Sequence, residues 1–307
     1  MKTRYASAAV TAFLTTLVAA ALSSSPVRAG GTIEAEHTLN SKTLGRVIPY
    51  RAYRPDASAA AGRKLPVLYL LHGRGDDENA WIDKGGIGPI LDRAIATGKV
   101  KPLIVVMPAA GNSWYVDDMM PGRFGNMSKA LTTDLVDGIE ARYPIARCRQ
   151  ARAVGGLSMG GYGAMLYALD RPDLFASVFS LSGSLFSEAS GDIERRKPAY
   201  ERIYGGVFGS PFDEKRFLAW NVFMRLDRPS LRHQPLAIWL SAGDRDFPSI
   251  LDGTVRMHNE LGKRSIPSEL HIMKGEHTWE LWNAAVEPAL EWLSDHLASE
   301  CPAPSGK

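Results

Sequence analysis

The chain has 307 residues, of which 45% are hydrophobic, 22% charged and 9% aromatic, and this composition excludes a disordered or collagen-like protein. Two cysteines are too few to hold together a small disulfide-rich fold. Lys2, Arg4 and Arg28 account for the whole formal net charge of +3, because residues 1–29 contain no acidic residue. Nothing in this balance indicates a nucleic-acid-binding surface or an anchor on anionic lipid.

The N-terminal residues have the pattern of an export signal. Two basic residues precede an apolar run at residues 8–22, and small residues precede a cut between Ala29 and Gly30. A transmembrane anchor is the alternative, but the run is shorter than the ~20 residues that span a bilayer. We therefore expect a signal peptide at residues 1–29 and a secreted or periplasmic protein of residues 30–307 with no stable membrane anchor.

Strand-like and helix-like segments alternate along the remaining chain. An alternating pair at residues 32–39 and 44–53 predicts two antiparallel strands at the start. Continuous apolar runs predict strands covered on both faces at residues 66–71, 103–107, 153–157, 177–181, 236–241 and 268–273. Helical spacing predicts helices at residues 87–96, 129–142, 159–169, 250–261 and 279–297. This alternation predicts a single α/β domain with a mostly parallel, doubly wound sheet.

Residues 187–234, named here the cap segment, interrupt this alternation. The segment contains several aromatic residues: Tyr200, Tyr204, Phe208, Phe212, Phe217, Trp220 and Phe223. A connection of this length is not expected to be structureless, so we predict a helical excursion over the C-terminal edge of the sheet. It either packs as an insertion or covers a substrate site, and these two roles are compatible. We favour a partial helical cap.

The motif Gly-Leu-Ser-Met-Gly at residues 156–160 places a serine between a predicted strand and a predicted helix. A G-x-S-x-G pattern alone is weak, but this context is typical of the nucleophile elbow of an α/β-hydrolase. The elbow exposes the Ser158 hydroxyl beside a helix N-terminus, which favours developing negative charge. The alternative is a glycine-rich turn in which Ser158 is an ordinary N-cap.

A serine hydroxyl needs a base, and the base needs an orienting acid; in this fold the chain order is serine, acid, histidine. Of the five histidines after Ser158, His277 follows the last predicted strand and precedes the last predicted helix. The acid should follow the strand at residues 236–241, where Asp244 and Asp246 share one turn. The sequence pattern does not choose between these two aspartates.

An oxyanion hole requires two backbone N–H donors. One is expected from Met159, directly after the serine, and the other from the loop after the strand at residues 66–71, where Arg74 follows a His-Gly pair. His72 of that pair is expected to be buried and hydrogen-bonded rather than catalytic.

Five segments, in chain order, resemble the esterase D-like family of the α/β-hydrolases: LLHGRGDDENAW, NSWYVDD, GLSMGGYGAM, GDRDF and GEHTWELW. This family includes secreted feruloyl and tributyrin esterases, S-formylglutathione hydrolases and mycolyltransferases. The resemblance implies that Ser158 is the nucleophile and His277 the base, and it selects Asp246, the aspartate of a G-x-x-D-F pattern, as the acid. It also agrees with Arg74 as an oxyanion donor.

The resemblance further implies that Trp114 and Tyr115 border the substrate. The acidic groups at residues 76–78 and 117–118 resemble metal ligands only in composition, and we expect solvated loop acids there. No phosphate-binding or dinucleotide-binding fingerprint follows a predicted strand. The expected chemistry requires neither a metal nor a cofactor.

The two cysteines lie at positions that a disulfide can join. Cys148 precedes a predicted strand and Cys301 follows the last predicted helix. In an oxidising compartment the pair can form a bond that holds the C-terminal residues down, whereas the alternative is two unrelated thiols. Both interpretations stay open at the level of sequence.

These patterns together predict a secreted serine carboxylesterase that hydrolyses short-chain or feruloyl-type acyl esters through an acyl-enzyme on Ser158. One alternative is an acyltransferase that passes the acyl group to a sugar or another alcohol. A weaker alternative is a non-catalytic binding protein on a hydrolase fold. The expected partner is a small-molecule or carbohydrate-linked ester, and no nucleic acid is expected.

Overall fold

The structure, a computed structural model, describes residues 30–118, 123–186 and 192–302. The predicted signal peptide at residues 1–29 and the first residues of the cap segment lie outside the described residues. Within the described ranges, one sheet contains nine strands: β1 (Thr32–Ile33), β2 (His37–Ser41), β3 (Arg46–Arg54), β4 (Val67–Leu71), β5 (Ile104–Pro108), β6 (Arg152–Leu157), β7 (Ser177–Leu181), β8 (Ala237–Gly243) and β9 (Ser268–Met273).

Helices follow most of the strands. They are α1 (Ala57–Ala60), α2 (Ala80–Asp83), α3 (Ile87–Ala96), α4 (Met127–Thr132), α5 (Asp134–Arg142), α6 (Met159–Asp170), α7 (Asp192–Tyr204), α8 (Glu214–Ala219), α9 (Ser230–His233), α10 (Pro248–Lys263) and α11 (Trp279–His296). Two 3₁₀ turns lie at Arg149–Ala151 and Val222–Arg225. In the described part of the chain, no helix has the length and apolar character needed to cross a membrane.

The strand order is β1-β3-β5-β4-β6-β7-β8-β9, and β2 also pairs with β3. Neighbouring strands from β5 to β9 run parallel, whereas β3 pairs antiparallel with β5. The register pairs Leu71 with Gly156 and Leu157 with Leu181, so these strands end level with one another. The predicted α/β fold with a mostly parallel sheet is confirmed, and its carboxyl edge collects the loops after β4, β6, β8 and β9.

Helices cover both faces of the sheet. One buried layer includes α3 and α11, and the other includes α5, α6, α10 and the cap segment. Strand β6 is therefore buried along its whole length. The prediction of a strand covered on both faces is wrong for β9, because this strand forms the edge of the sheet and leaves Ile272 46% exposed.

Two predicted elements are each divided in the structure. The strand predicted at residues 32–39 becomes β1 and β2, both paired with β3. The helix predicted at residues 129–142 is divided into α4 and α5 because Thr133 leaves the helical conformation, with φ −126° and ψ −74°. The Asp134 carboxylate, at the first turn of α5, accepts hydrogen bonds from the Thr43 N–H at 2.8 Å and the Ser41 hydroxyl at 2.6 Å. These contacts attach the start of α5 to the β2–β3 turn.

The described part of the cap segment is helical and holds its aromatic residues inside. Tyr200, Tyr204, Phe208, Phe212 and Phe217 are each at most 7% exposed, and their rings contact one another at centroid distances of 4.8–6.3 Å. Such a cluster stabilises the segment by burying aromatic surface. These five rings therefore hold the cap segment together and are not available as an open aromatic lining.

Cys148 and Cys301 form a disulfide, with Cα atoms 5.7 Å apart. The bond joins the residues after α11 to the residues that lead into β6. A backbone hydrogen bond of 2.9 Å from Ala298 N–H to the Gln150 carbonyl lies beside it. The C-terminal segment is thus attached to the strand whose opposite end carries Ser158.

Candidate active site

Ser158 lies on a sharp turn between β6 and α6. Its backbone has φ +52° and ψ −115°, a conformation that is uncommon for residues other than glycine. The turn is held on both sides, because the Ser158 N–H donates to the Leu181 carbonyl at 2.9 Å and its carbonyl accepts from the Ser184 N–H at 3.0 Å. The strained turn brings the hydroxyl out at the carboxyl edge of the sheet.

The glycines of the motif permit this turn because neighbouring backbone occupies the space of their missing side chains. A Cβ at Gly160 would lie 2.4 Å from the Leu71 carbonyl oxygen, and one at Gly156 would lie 2.7 Å from the Gly160 backbone. Any larger residue at these positions would push α6 away from the end of β4.

The structure brings Ser158, His277 and Asp246 into one hydrogen-bonded line. His277 Nε2 lies 2.9 Å from Ser158 Oγ, and His277 Nδ1 lies 2.7 Å from Asp246 Oδ1. An ionised carboxylate only accepts hydrogen bonds, so Nδ1 carries the proton and Nε2 is free to accept from the hydroxyl. This is the geometry in which an imidazole can take a proton from a serine.

The environment of Asp246 keeps its carboxylate charged. Burial raises the pKa of Asp246, but the hydrogen bond and charge of His277, together with the contacts of Ser182 and the Phe247 N–H, outweigh burial, and the pKa lies below its ordinary value. The Phe247 N–H also donates to Asp246 Oδ1 at 2.8 Å. Asp246 can therefore orient His277 and stabilise the imidazolium that forms when the serine loses its proton.

Asp244, the other candidate acid, does not reach the imidazole. Its Oδ1 accepts a hydrogen bond from the Gly275 N–H at 2.9 Å, and its side chain is 49% exposed. The structure therefore places Asp246 beside His277 and gives Asp244 a contact with the backbone of the His277 loop.

The two predicted oxyanion donors lie at the elbow. Met159 is the first residue of α6, where N–H groups have no acceptor within the helix. The loop that carries Arg74 lies against the serine, since a Cβ built on Gly73 would be 3.9 Å from Ser158 Cβ. Across the described ranges, neither the Arg74 N–H nor the Met159 N–H donates to another protein group. Both are free to bind an oxygen atom.

His72 holds the loop that carries Arg74. It is 1% exposed, its Nε2 accepts from the Ala110 N–H at 3.0 Å, and its Nδ1 donates to the Gly73 carbonyl at 2.8 Å. Burial lowers the pKa of His72, so the ring is neutral. The expected buried, hydrogen-bonded role of His72 fits this arrangement.

Trp114 and Tyr115, which the resemblance implied border the substrate, are buried side chains, and their contact with substrate stays a prediction. Trp114 is 3% exposed and packs on Tyr204 of the cap segment at a centroid distance of 4.5 Å. Tyr115 is fully buried, and its hydroxyl donates to the His72 carbonyl at 2.9 Å. A Trp-Tyr pair in a sequence does not reveal this burial. Both residues have a positive φ, 54° for Trp114 and 59° for Tyr115, and this backbone conformation is not visible in the sequence.

Two aromatic residues beside His277 had no assigned role in the sequence analysis. The Phe247 ring lies 5.0 Å from the imidazole at an interplanar angle of 40°, and the Trp282 ring meets it edge-on at 5.0 Å and 89°. Phe247 directly follows Asp246, and Trp282 lies five residues after His277. These positions in the sequence are the signal by which the two residues could have been assigned to the site. Together they enclose the imidazole, which is 15% exposed.

Two of the acidic residues are less solvated than expected, whereas Asp77 is exposed as predicted. Glu78 is 8% exposed and Asp118 is 5% exposed, and the Asp118 carboxylate lies 3.4 Å from the Arg216 guanidinium. Asp76 pairs with Lys84 at 2.5 Å. Over the ranges that the structure describes, no three His, Cys, Asp or Glu side chains group as metal ligands.

Comparison with known proteins identifies the family. Residues 41–293 match the family described as "Putative esterase", which is most of the chain. The chain belongs to this esterase family. The resemblance that the sequence motifs predicted is thereby confirmed at the level of the family and of the α/β-hydrolase fold.

Relatives in this family include an esterase of Mycobacterium tuberculosis, 32% identical over 244 residues, which cover 73% of this chain and 51% of that protein. The chain thus spans about half the length of this curated relative. A second relative is an endo-1,4-beta-xylanase/feruloyl esterase of Xylanibacter ruminicola, 38% identical over 128 residues, which cover 40% of this chain and 17% of that protein.

The fold is shared with solved structures. A ferulic acid esterase superposes with a TM-score of 0.73 at 23% identity, covering 87% of this chain and 99% of that one. At this identity the likeness shows the fold alone.

Proposed function

We propose that the protein is a secreted serine carboxylesterase. The observation that carries the proposal is the continuous hydrogen-bonded line from Ser158 through His277 to Asp246. These three residues lie in the turns that follow strands β6, β9 and β8. Membership of the esterase family supports the same reaction class. The feruloyl esterase activity named for one relative supports an acyl group of that type, beside short aliphatic acyl groups, as the substrate class.

In the proposed mechanism, His277 Nε2 takes the proton from Ser158 Oγ while the oxygen attacks the ester carbonyl carbon. The carbonyl oxygen becomes negative and accepts hydrogen bonds from the Arg74 and Met159 N–H groups, at the N-terminus of α6. His277 then passes the proton to the leaving alcohol oxygen, and an acyl-enzyme remains. A water molecule, deprotonated by His277, attacks the acyl carbon, the bond between that carbon and Ser158 Oγ breaks, and His277 returns the proton to Oγ as the acid leaves.

Export is supported by the sequence pattern of residues 1–29 and by the Cys148–Cys301 disulfide, because such bonds persist in oxidising compartments. The N-terminal residue of protein recovered from the exported fraction tests this part directly. Gly30 is expected, whereas retention of residues 1–29 would contradict it.

The test of the reaction combines a fluorophosphonate probe with ester substrates. We expect the probe to label Ser158, as located by peptide mass mapping, and to abolish turnover of p-nitrophenyl esters and methyl ferulate. A chain-length series of p-nitrophenyl esters beside methyl ferulate will define the acyl preference. A protein that neither labels nor turns over any of these esters would refute the proposal and support the non-catalytic alternative.

Acyl transfer is separated from hydrolysis by product analysis. With an ester substrate and glycerol or glucose present, hydrolysis yields the free acid, whereas transfer yields a new ester of the polyol. We expect the free acid to dominate. A new ester as the main product would instead support the acyltransferase alternative.

A further inference from the structure

Phe247 is an exposed aromatic residue at the proposed catalytic centre. Its side chain follows Asp246 directly, is 61% exposed, and has its ring 5.0 Å from the ring of His277. Single exposed apolar residues are normal on protein surfaces. Phe247 is distinguished by its position against the ring of the proposed base.

The backbone of Phe247 is fixed although its ring is exposed. The N–H donates to Asp246 Oδ1 at 2.8 Å, and the carbonyl accepts from the Ile250 N–H at 2.8 Å and the Leu251 N–H at 3.1 Å at the start of α10. The ring is therefore presented from a rigid position. Because most of its surface is in water, the ring contributes little to the core, and core packing does not explain a large aromatic residue here.

The proposed mechanism determines which part of an ester reaches this ring. His277 Nε2 has to donate its proton to the leaving alcohol oxygen, so the alcohol must come within hydrogen-bond distance of the imidazole. Two aromatic rings contact that imidazole. Trp282 is 7% exposed and lies on the inner side, whereas Phe247 is exposed. A bulky alcohol that leaves past His277 therefore meets Phe247.

Polar groups flank the same loop. The Arg245 Nη1 atom lies 3.7 Å from the Glu276 Oε1 atom, and these side chains are 61% and 62% exposed. Both border a cavity of about 300 Å³, together with Lys274 and Thr278. Phe247 does not line this cavity, but Arg245 precedes Phe247 by two residues and Glu276 directly precedes His277. An exposed aromatic face with charged side chains on the same two loops suits a ring-shaped polyol, whose C–H face is apolar and whose hydroxyls need hydrogen-bond partners.

We propose that Phe247 selects the alcohol part of the ester, by packing its exposed face on a ring-bearing alcohol of the sugar class while Arg245 and Glu276 bind the hydroxyls. This inference rests on the proposed esterase function. It places alcohol selection on the loop after β8 and not on the cap segment, because the aromatic residues of the cap segment are buried against one another.

The test compares two esters of one acid, the methyl ester and the glucose 6-ester, so that only the alcohol changes. Phe247→Ala is expected to lower the ratio of kcat/KM for the glucose ester to kcat/KM for the methyl ester about tenfold, mainly through a higher KM for the glucose ester. Phe247→Tyr keeps an aromatic face and is expected to retain the ratio. Met224→Ala removes another exposed apolar residue, 67% exposed, within the cap segment, and is the matched control.

Three outcomes would overturn the inference. An equal loss for both esters that appears in kcat would mean that Phe247 only positions His277. A loss that instead follows the acyl group across a chain-length series would place Phe247 on the acyl side. An unchanged ratio in Phe247→Ala and in a second variant, Phe247→Leu, would show that the ring does not contact the alcohol. Failure of the wild-type protein to label with fluorophosphonate or to hydrolyse either ester would refute the proposed function itself.

Discussion

The Asp244 carboxylate accepts a hydrogen bond from the Gly275 N–H at 2.9 Å, and in this way it joins the turn after β8 to the turn after β9. Two residues further along each turn, Asp246 meets His277 at 2.7 Å. The two aspartates therefore contact the same loop in different ways, one through its backbone and one through its imidazole. This difference predicts different costs of mutation.

Asp246→Asn is expected to lower turnover by about 10²–10⁴, because the amide lacks the charge that stabilises the imidazolium and can favour the wrong tautomer. Asp244→Asn is expected to be mild, since its amide oxygen can still accept from Gly275. Steady-state kinetics on both variants with one p-nitrophenyl ester decides between them. The reverse ranking would transfer the orienting role to Asp244.

Ser158→Ala is expected to remove ester turnover to the residual level of binding and oxyanion contacts, a loss of ~10⁴-fold or more. The fold should persist, because the backbone hydrogen bonds that hold the turn do not use the hydroxyl. Circular dichroism and thermal unfolding provide the control for folding. Near-native turnover in a correctly folded Ser158→Ala variant would contradict the assignment.

The Cys148–Cys301 disulfide is expected to raise stability, because it closes a loop between residues 153 positions apart. In the chain-entropy model a loop of this length is worth about 5 kcal/mol, and loss of a native disulfide typically costs ~2–5 kcal/mol. Cys148→Ser, Cys301→Ser and the double variant should each unfold at a lower temperature than the wild type. Mass spectrometry after alkylation without reductant should find no free thiol in exported wild-type protein, and two alkylated cysteines would refute the bond.

Burial lowers the pKa of His72, and this produces a pH dependence of stability. The unfolded chain takes up a proton near pH 6.5 whereas the folded one does so only at lower pH, so the contribution of His72 is fully present above about pH 6.5 and is lost as pH falls toward the folded pKa. Urea unfolding at pH 7, 6 and 5 should therefore show a smaller loss of stability in His72→Asn than in the wild type.

The control for this experiment is His271→Asn, since the His271 side chain is 43% exposed. Identical slopes for all three proteins would show that His72 does not contribute to the pH dependence.

The central strands and the position of Ser158 could be predicted because burial on both faces leaves a continuous apolar run in the sequence. Strand β6, for example, is buried at every position and was predicted to within one residue. The division between α4 and α5 could not be predicted, because it follows from hydrogen bonds between Asp134 and the β2–β3 turn, about 90 residues away in the chain. Such contacts have no local signal.

The candidate site shows the same limit. His277 could be chosen by its place between the last strand and the last helix, which is a matter of element order. Element order did not separate Asp246 from Asp244, because the choice depends on the path of a turn; Asp246 was selected through the family resemblance. The inward position of Tyr115 depends on a positive φ and on a hydroxyl contact with His72, neither of which is visible in a sequence.

Strand β8 ends where the backbone of the neighbouring loop leaves no room for a side chain. A Cβ at Gly243 would lie 2.3 Å from the Gly275 carbonyl oxygen, so the loops that carry Asp246 and His277 interlock through main-chain atoms. This contact between main-chain atoms does not depend on the surrounding side chains. Surface substitutions near the site are therefore not expected to move Asp246 relative to His277. An engineer who grafts or exchanges either loop therefore has to transfer both.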